Sequence, residues 1–298
     1  MAAGLILGAC TRVPEVAPDS FPILTPPAAA TPRINGPRIF GVRPGSPFLF
    51  QVAATGERPM LYSASGLPEE LSLDAATGRI TGQLRSEGRH VVTLQAQNAL
   101  GTAERALTIV IGSEIALTPP MGWNSWNCWG NKVTQEKMRA AARAMVGHQL
   151  REHGWSYVNI DDGWQGLRGG DLNAIQPNTK FPDLPGLSAE IHDLGLKLGI
   201  YSTPWRASFD RYIGSSADNA DGTYEWIKSG DHAEHFRHRF PEEAVPVSRN
   251  NAWLQPIRQW TKKKRRQKFD KRMRTFGKAS FVQQDARQWT AWGVDYLK

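Results

Sequence analysis

Tyr157-Val158-Asn159-Ile160-Asp161-Asp162-Gly163-Trp164 decides the fold of the second part of this chain. Four residues of strand composition run directly into two adjacent carboxylates and a glycine. A buried strand with acidic groups at its C-terminal end is how a β/α barrel presents its chemistry. Asp-Asp-Gly alone is equally compatible with a solvated turn, since these residues favour turns. Three other stretches narrow the choice: Met121-Gly122-Trp123-Asn124-Ser125-Trp126-Asn127 upstream, and Leu198-Gly199-Ile200-Tyr201-Ser202 and Asp295-Tyr296-Leu297-Lys298 downstream. Each reads as a short strand ending in polar or aromatic groups.

Helical patterns separate these strands. Thr134 is placed to cap a helix whose apolar positions Met138, Ala141, Ala142, Met145, Val146 and Leu150 fall on one face, with Gly154 as its stop. A second helix centres on Leu187 to Leu194 and ends at Gly195. Ser280-Phe281-Val282-Gln283 has capping-box form and opens a third, running to about Trp292 and Gly293. Strand and helix in alternation mean a parallel sheet. Strands start near 120, 157, 196 and 294; the first two spacings suit β/α units, and the third contains a long insertion, about 231–275.

Residues 38–112 read differently. Phe48-Leu49-Phe50-Gln51-Val52, Val91-Val92-Thr93-Leu94-Gln95-Ala96 and Ala106-Leu107-Thr108-Ile109-Val110-Ile111 have strand composition, separated by turn signals at Thr55-Gly56-Glu57, Asp74 to Gly78 and Asn98 to Gly101. Short strands at this spacing suggest a sandwich. The fold expected is therefore multidomain: an all-β immunoglobulin-like sandwich followed by the first half of a (β/α)8 TIM barrel over residues 118–298.

With 40% hydrophobic residues and 11 Trp, the chain is globular, not disordered. Its net charge of +8 is local: nine basic residues and one acid lie between Lys262 and Arg274, and outside them basic and acidic residues are equal in number. A basic run of this kind is usually a solvated helix or loop, so no nucleic-acid partner is expected, although salt-dependent binding through Lys262–Arg266 is the reading it would support. Leu7-Gly8-Ala9-Cys10 resembles a bacterial lipobox, in which Cys10 is lipidated, without the basic start of a signal peptide. The Pro- and Ala-rich residues 11–37 read as an extended tether. Together these suggest export to the bacterial cell envelope, with membrane attachment at Cys10. Only Cys128 remains, so no disulfide framework exists, and no apolar run is long enough for a transmembrane helix.

In a β/α barrel the strand ends converge. Trp126, Asp161 and Asp162, Tyr201 and Lys298 would meet there. Carboxylates accept sugar hydroxyls, lysine donates to them, and aromatic faces stack on pyranose C–H surfaces, so the set suits a neutral polyhydroxylated ligand. No metal-ligand cluster, phosphate loop or cofactor signature appears.

Thr118 to Trp126, Tyr157 to Trp164, Gly195 to Tyr201 and Trp292 to Lys298 resemble the α-galactosidase (melibiase) family, glycoside hydrolase family 27. Ser65-Gly66-Leu67-Pro68, Leu71 to Asp74 and Thr77 to Gly82 resemble immunoglobulin-like modules attached to bacterial secreted enzymes. The first resemblance implies retaining hydrolysis of terminal α-D-galactosyl residues, in which one carboxylate attacks the anomeric carbon and a second protonates the leaving group. It also implies that Asp161 and Asp162 hold galactose hydroxyls, Trp126 and Tyr201 shape the pocket, and Lys298 hydrogen-bonds the sugar. The family's nucleophile falls two residues beyond the position of Lys298 and its acid/base further on, so no catalytic carboxylate is assigned here. Asp295 is not the nucleophile. With two open sheet edges as well, this polypeptide alone is expected to fold poorly and be inactive. The alternative is a non-catalytic carbohydrate-binding fragment. The resemblance also leaves open α-N-acetylgalactosaminidase and β-arabinopyranosidase activities, which occur on similar scaffolds.

Overall fold

A computed structural model describes residues 27–224 and 274–298. Cys10, most of the Pro/Ala-rich stretch and nearly all of the basic run lie outside the described residues.

The first domain is built from β1 (Arg33–Ile34), β2 (Ile39–Val42), β3 (Pro47–Gln51), β4 (Ala54–Thr55), β5 (Leu61–Ser65), β6 (Leu71–Leu73), β7 (Arg79–Gln83), β8 (Gly88–Asn98) and β9 (Gly101–Ile111). One sheet has the order β2-β9-β8-β5 and the other β3-β7-β6, while β1 pairs with β4. Successive strand residues point to opposite faces, so β8 buries Val92, Leu94 and Ala96 and turns Val91 and Thr93 outward. These pack with Leu107, Ile109 and Ile111 of β9 and with Phe48, Phe50 and Ile80 of the opposite sheet. The tight β8–β9 connection falls at the turn expected from Asn98 to Gly101, and the Asn98 side chain accepts the Leu100 N–H at 2.9 Å.

The second domain carries β10 (Gly122–Asn124), β11 (Tyr157–Ile160), β14 (Lys197–Ile200) and β17 (Tyr296–Leu297), hydrogen-bonded in that order and all parallel. β14 is buried along its whole length and β11 at alternate residues, and they contribute Val158, Ile160, Leu198 and Ile200 to one core. The helices are α1 (Trp126–Trp129), α2 (Gln135–Gly147), α3 (Leu184–Asp193) and α4 (Val282–Ala291). Thr134 caps α2 as its position implies, accepting the Lys137 N–H at 3.3 Å. The helix ends at Gly147 rather than at Gly154, because Gln149 takes a left-handed φ of 61°; Leu150, on the expected apolar face, is left 40% exposed. The capping box at Ser280 does not form: Ser280 pairs with Ser216 in a short antiparallel sheet, β15 (Ser216–Ala217) with β16 (Ala279–Ser280), and Phe281 precedes α4 without a side-chain cap. A hairpin, β12 (Gln165–Gly169) with β13 (Ala174–Pro177), follows β11. It is tied to α4 by Arg168 and Asp285, a bidentate pair at 2.7 and 3.0 Å that is almost wholly buried. Among the described residues no helix is long and apolar enough to cross a membrane.

The sandwich sits against the N-terminal ends of the parallel strands. Lys197, the first residue of β14, is 7% exposed. Its amine donates to the Leu49 carbonyl of β3 and lies 4.4 Å from the centre of the Phe40 ring. Burial pulls that amine down to about 8. Arg79 donates to the His192 and Asp193 carbonyls at 3.1 and 2.9 Å, where the C-terminal end of α3 leaves acceptors unpaired. A cavity of about 350 Å³ remains between the domains, walled by Phe40, Phe50, Met121, Tyr157 and Lys197.

Candidate sugar-binding site

At the opposite end of the sheet the strands deliver the acidic pair. Asp161 and Asp162 follow β11 directly and are 6% and 1% exposed. The Ser125 hydroxyl, just beyond β10, accepts the Asp161 N–H at 3.0 Å and so ties the first strand end to the second. One Asp161 oxygen takes the Asp162 N–H at 2.7 Å. The other takes the Lys298 amine at 2.6 Å, from just past β17. Parallel register brings these residues together: β11 pairs with β14 and β14 with β17, so residues 137 apart in sequence form one ion pair.

Asp162 is held from two sides. Gln165 donates to one carboxylate oxygen at 3.1 Å, and the Asp210 backbone N–H donates to the other at 2.6 Å. Burial pushes the Asp162 carboxyl up to about 6, against those hydrogen bonds, which pull it down. Tyr201 continues the β14 ladder, its N–H donating to the Ile160 carbonyl at 2.8 Å. Its phenol is pushed up to about 12, first by burial and then by the Asp162 charge, with the nearby Phe209 backbone acting in the other direction. Thus Asp161, Asp162, Tyr201 and Lys298 gather at the ends of three adjacent strands. Trp126 does not end a strand: β10 stops at Asn124, and Trp126 opens α1 with its N–H on the Asn124 side chain at 3.0 Å and its side chain partly exposed.

Beneath the acidic pair, Gly163 has a φ of 113°, and a Cβ there would lie 2.9 Å from the Asn131 Cα, so a side chain would be strained. Lys180 donates to the Asn131 and Gly163 carbonyls, and burial brings its amine down to about 8. Asn131 in turn donates to the Asp210 carboxylate at 2.6 Å. Trp164 is fully buried between Trp289 and Trp292, with its indole N–H on the Tyr201 carbonyl at 2.8 Å. Sequence reasoning missed Ser125, Gln165, Lys180 and Asp210. Their only sequence signal is polarity shortly after strand ends. Asp295 faces elsewhere, bonded to His192 at 2.7 Å and to the Leu198 N–H at 2.8 Å. Among the described residues no group of three or more His, Cys, Asp or Glu is arranged to hold a metal ion.

Residues 118–225 match the family model Melibiase_2, described as alpha galactosidase A, and residues 31–112 match He_PIG, an Ig-domain family. Residues 118–225 are thus similar to the alpha-galactosidase family, and the residues before them to an Ig-like domain. Alpha-galactosidase A of Cellvibrio japonicus is 48% identical over 92 residues, covering 30% of this chain and 22% of that protein. A protein of Talaromyces emersonii named probable alpha-galactosidase B is 42% identical over 115 residues, covering 36% of this chain and 25% of its own length. Among solved structures, a Bacteroides fragilis protein assigned as an alpha-galactosidase aligns with TM-score 0.67 and 34% identity over 93% of this chain and 46% of that one. Coverage that high takes in both the Ig-like and the alpha-galactosidase segments. The chain spans about a quarter to a third of the curated relatives it matches.

Proposed function

We propose that the strand-end site receives the terminal galactose of α-galactosides, for hydrolysis with retention, and that β10, β11, β14 and β17 are the first four strands of a (β/α)8 barrel. The observation that carries this reading is the convergence of Asp161, Asp162, Tyr201 and Lys298 at adjacent parallel strand ends. Fixed acceptors, a cationic donor and a phenol answer the hydroxyls of a neutral sugar. Asp161 is neutralised by Lys298, which suits holding a hydroxyl rather than attacking a carbon. Trp126, partly exposed beside them, supplies an apolar face.

Retaining hydrolysis needs two carboxyl groups about 5–5.5 Å apart across the scissile bond. Asp161 and Asp162 are both committed to protein donors, so neither is given that role. The 298-residue polypeptide is therefore proposed to bind the sugar without cleaving it; this favours, as a second reading, carbohydrate binding alone. Two titrations test both: galactose against glucose by calorimetry, and galactose release from a chromogenic α-galactoside. Selective galactose binding is expected. Its absence overturns the site, and release of galactose by this polypeptide overturns the division of labour. Export and attachment through Cys10 rest on the Leu7–Cys10 motif, and detergent partitioning of the protein before and after Cys10→Ser tests them.

A further inference from the structure

The loop Ser208-Phe209-Asp210 adjoins the site. The Asp210 N–H donates to the Asp162 carboxylate at 2.6 Å, and the Ser208 hydroxyl accepts the Tyr212 N–H at 2.9 Å. Ser208 is buried, yet the Phe209 side chain between these anchored neighbours is 59% exposed. Single exposed apolar residues are ordinary on protein surfaces. Two features set this one apart. Its neighbour Asp210 is bonded to Asp162, one of the residues proposed to hold galactose, so its ring stands beside that site. One face of the ring also carries the Arg274 guanidinium, 3.6 Å from the ring centre. A guanidinium stacked this closely orients the ring, which keeps its 59% exposure.

Arg274 reaches the ring from a distant stretch of sequence. The neighbouring Arg206 brings the two stretches together, its N–H donating to the Thr275 carbonyl at 3.1 Å and its guanidinium donating to the Thr275 hydroxyl at 2.6 Å. The same guanidinium pairs with Asp218 at 2.8 Å. The platform is thus braced from both sides rather than carried on a free loop.

We propose that Phe209, oriented by Arg274, forms the subsite for the leaving group of an α-galactoside, and that this leaving group is itself a pyranose whose apolar face stacks on the ring. The inference rests on the galactose reading of the neighbouring site. A flat ring of fixed orientation rewards a second sugar ring, whereas a lone galactose, held by Asp161, Asp162 and Lys298, gains little from it.

The test is a calorimetric titration of the full chain with galactose and with an α-1,6-galactosyl-glucose disaccharide. An aromatic stacking contact is worth roughly 0.5–1.5 kcal/mol, so the wild type should bind the disaccharide about three- to tenfold more tightly than galactose. In Phe209→Ala that ratio should collapse towards one, in Phe209→Tyr it should be kept, and in Arg274→Met it should fall part of the way. Should Phe209→Ala fail to fold, Phe209→Leu with Arg274→Met provides the same readout. A purely structural role would weaken both ligands and leave the ratio intact, and that result overturns the proposal, as does a wild-type ratio near one with galactose bound. Failure of both sugars to bind the folded wild type overturns the galactose reading itself, and this inference with it.

Discussion

The N-terminal end of the parallel sheet buries an amine and the C-terminal end buries a carboxyl, and their surroundings differ. Lys197 is capped by the Leu49 carbonyl and the Phe40 ring, both supplied by the sandwich. Asp162 is held by Gln165 at the start of β12 and by the Asp210 N–H, both from its own domain. Burial acts on both in the same sense, against the charged form, bringing Lys197 down to about 8 and Asp162 up to about 6. The contrast lies in what adjoins them. Beside Lys197 a second domain closes the surface; beside Asp162 stands Asp161, whose partner Lys298 has a side chain 48% exposed. Desolvation at one end joins two domains, and at the other it stiffens a rim that stays open to solvent.

The largest expected effect breaks the closed end. Lys197→Glu would place a carboxylate against the Leu49 carbonyl and the negative face of the Phe40 ring. An uncompensated buried charge costs about 3–5 kcal/mol, read as a lowered urea midpoint at unchanged slope; a loss below about 1 kcal/mol would show that the interface tolerates charge. At the open end, Asp161→Ala removes a fixed acceptor and leaves Lys298 without its ion-pair partner. Hydrogen bonds to charged groups contribute about 1.5–3 kcal/mol, so galactose affinity should fall about 10- to 100-fold by calorimetry. An unchanged affinity would remove Asp161 from the site.

Protons separate the two ends more finely. The folded value of Asp162, about 6, lies above its ordinary 3.8, so between those values the folded state holds the extra proton. Its contribution to stability is complete below 3.8 and is lost as pH rises through 6. Lys197 behaves in the opposite way in an alkaline window: its folded value of about 8 lies below 10.5, so the unfolded chain holds the proton there, and stability rises from pH 8 to 10.5. Denaturation of Asp162→Asn and Lys197→Met against wild type should give difference curves that bend only in the acid and only in the alkaline window, by about 1–3 kcal/mol each. Curves flat in both windows would dissolve the contrast. The smallest effect lies at the start of α2: Thr134→Ala should cost about 1 kcal/mol in thermal unfolding, giving a baseline for a change that touches neither end.

What the sequence made legible follows the reach of each interaction. β11 was visible because its apolar residues and its acidic pair are contiguous, and the sandwich strands because alternation is local. The convergence of Asp161 and Lys298 was visible only through the barrel hypothesis, which supplies the parallel register that their side chains then satisfy. Asp285 carried no such signal. It sits on α4 in a pattern that reads as solvated, yet it is fully buried because Arg168, from a hairpin 117 residues away, neutralises it. Leu150 has ideal helical spacing and still lies beyond the helix, since backbone reversal at Gln149 ended α2 first. Ser280 matches a cap and became a strand residue because Ser216 offered it a partner. Asp210 acts through an irregular loop, where no periodicity marks which polar group turns inward.

The pairing of Ser216–Ala217 with Ala279–Ser280 has a consequence for how this domain can vary. It joins the two sides of the long stretch between β15 and β16 at a common neck, reinforced by Arg206 with Asp218 and Thr275. Once the neck is closed, the cost of further residues beyond it grows only logarithmically with their number. Length and composition there become nearly independent of the position of β17, and hence of Lys298. The neck is a graft point: it holds Arg206, Arg274 and Thr275 in place beside the candidate site, whatever length of sequence is inserted beyond them.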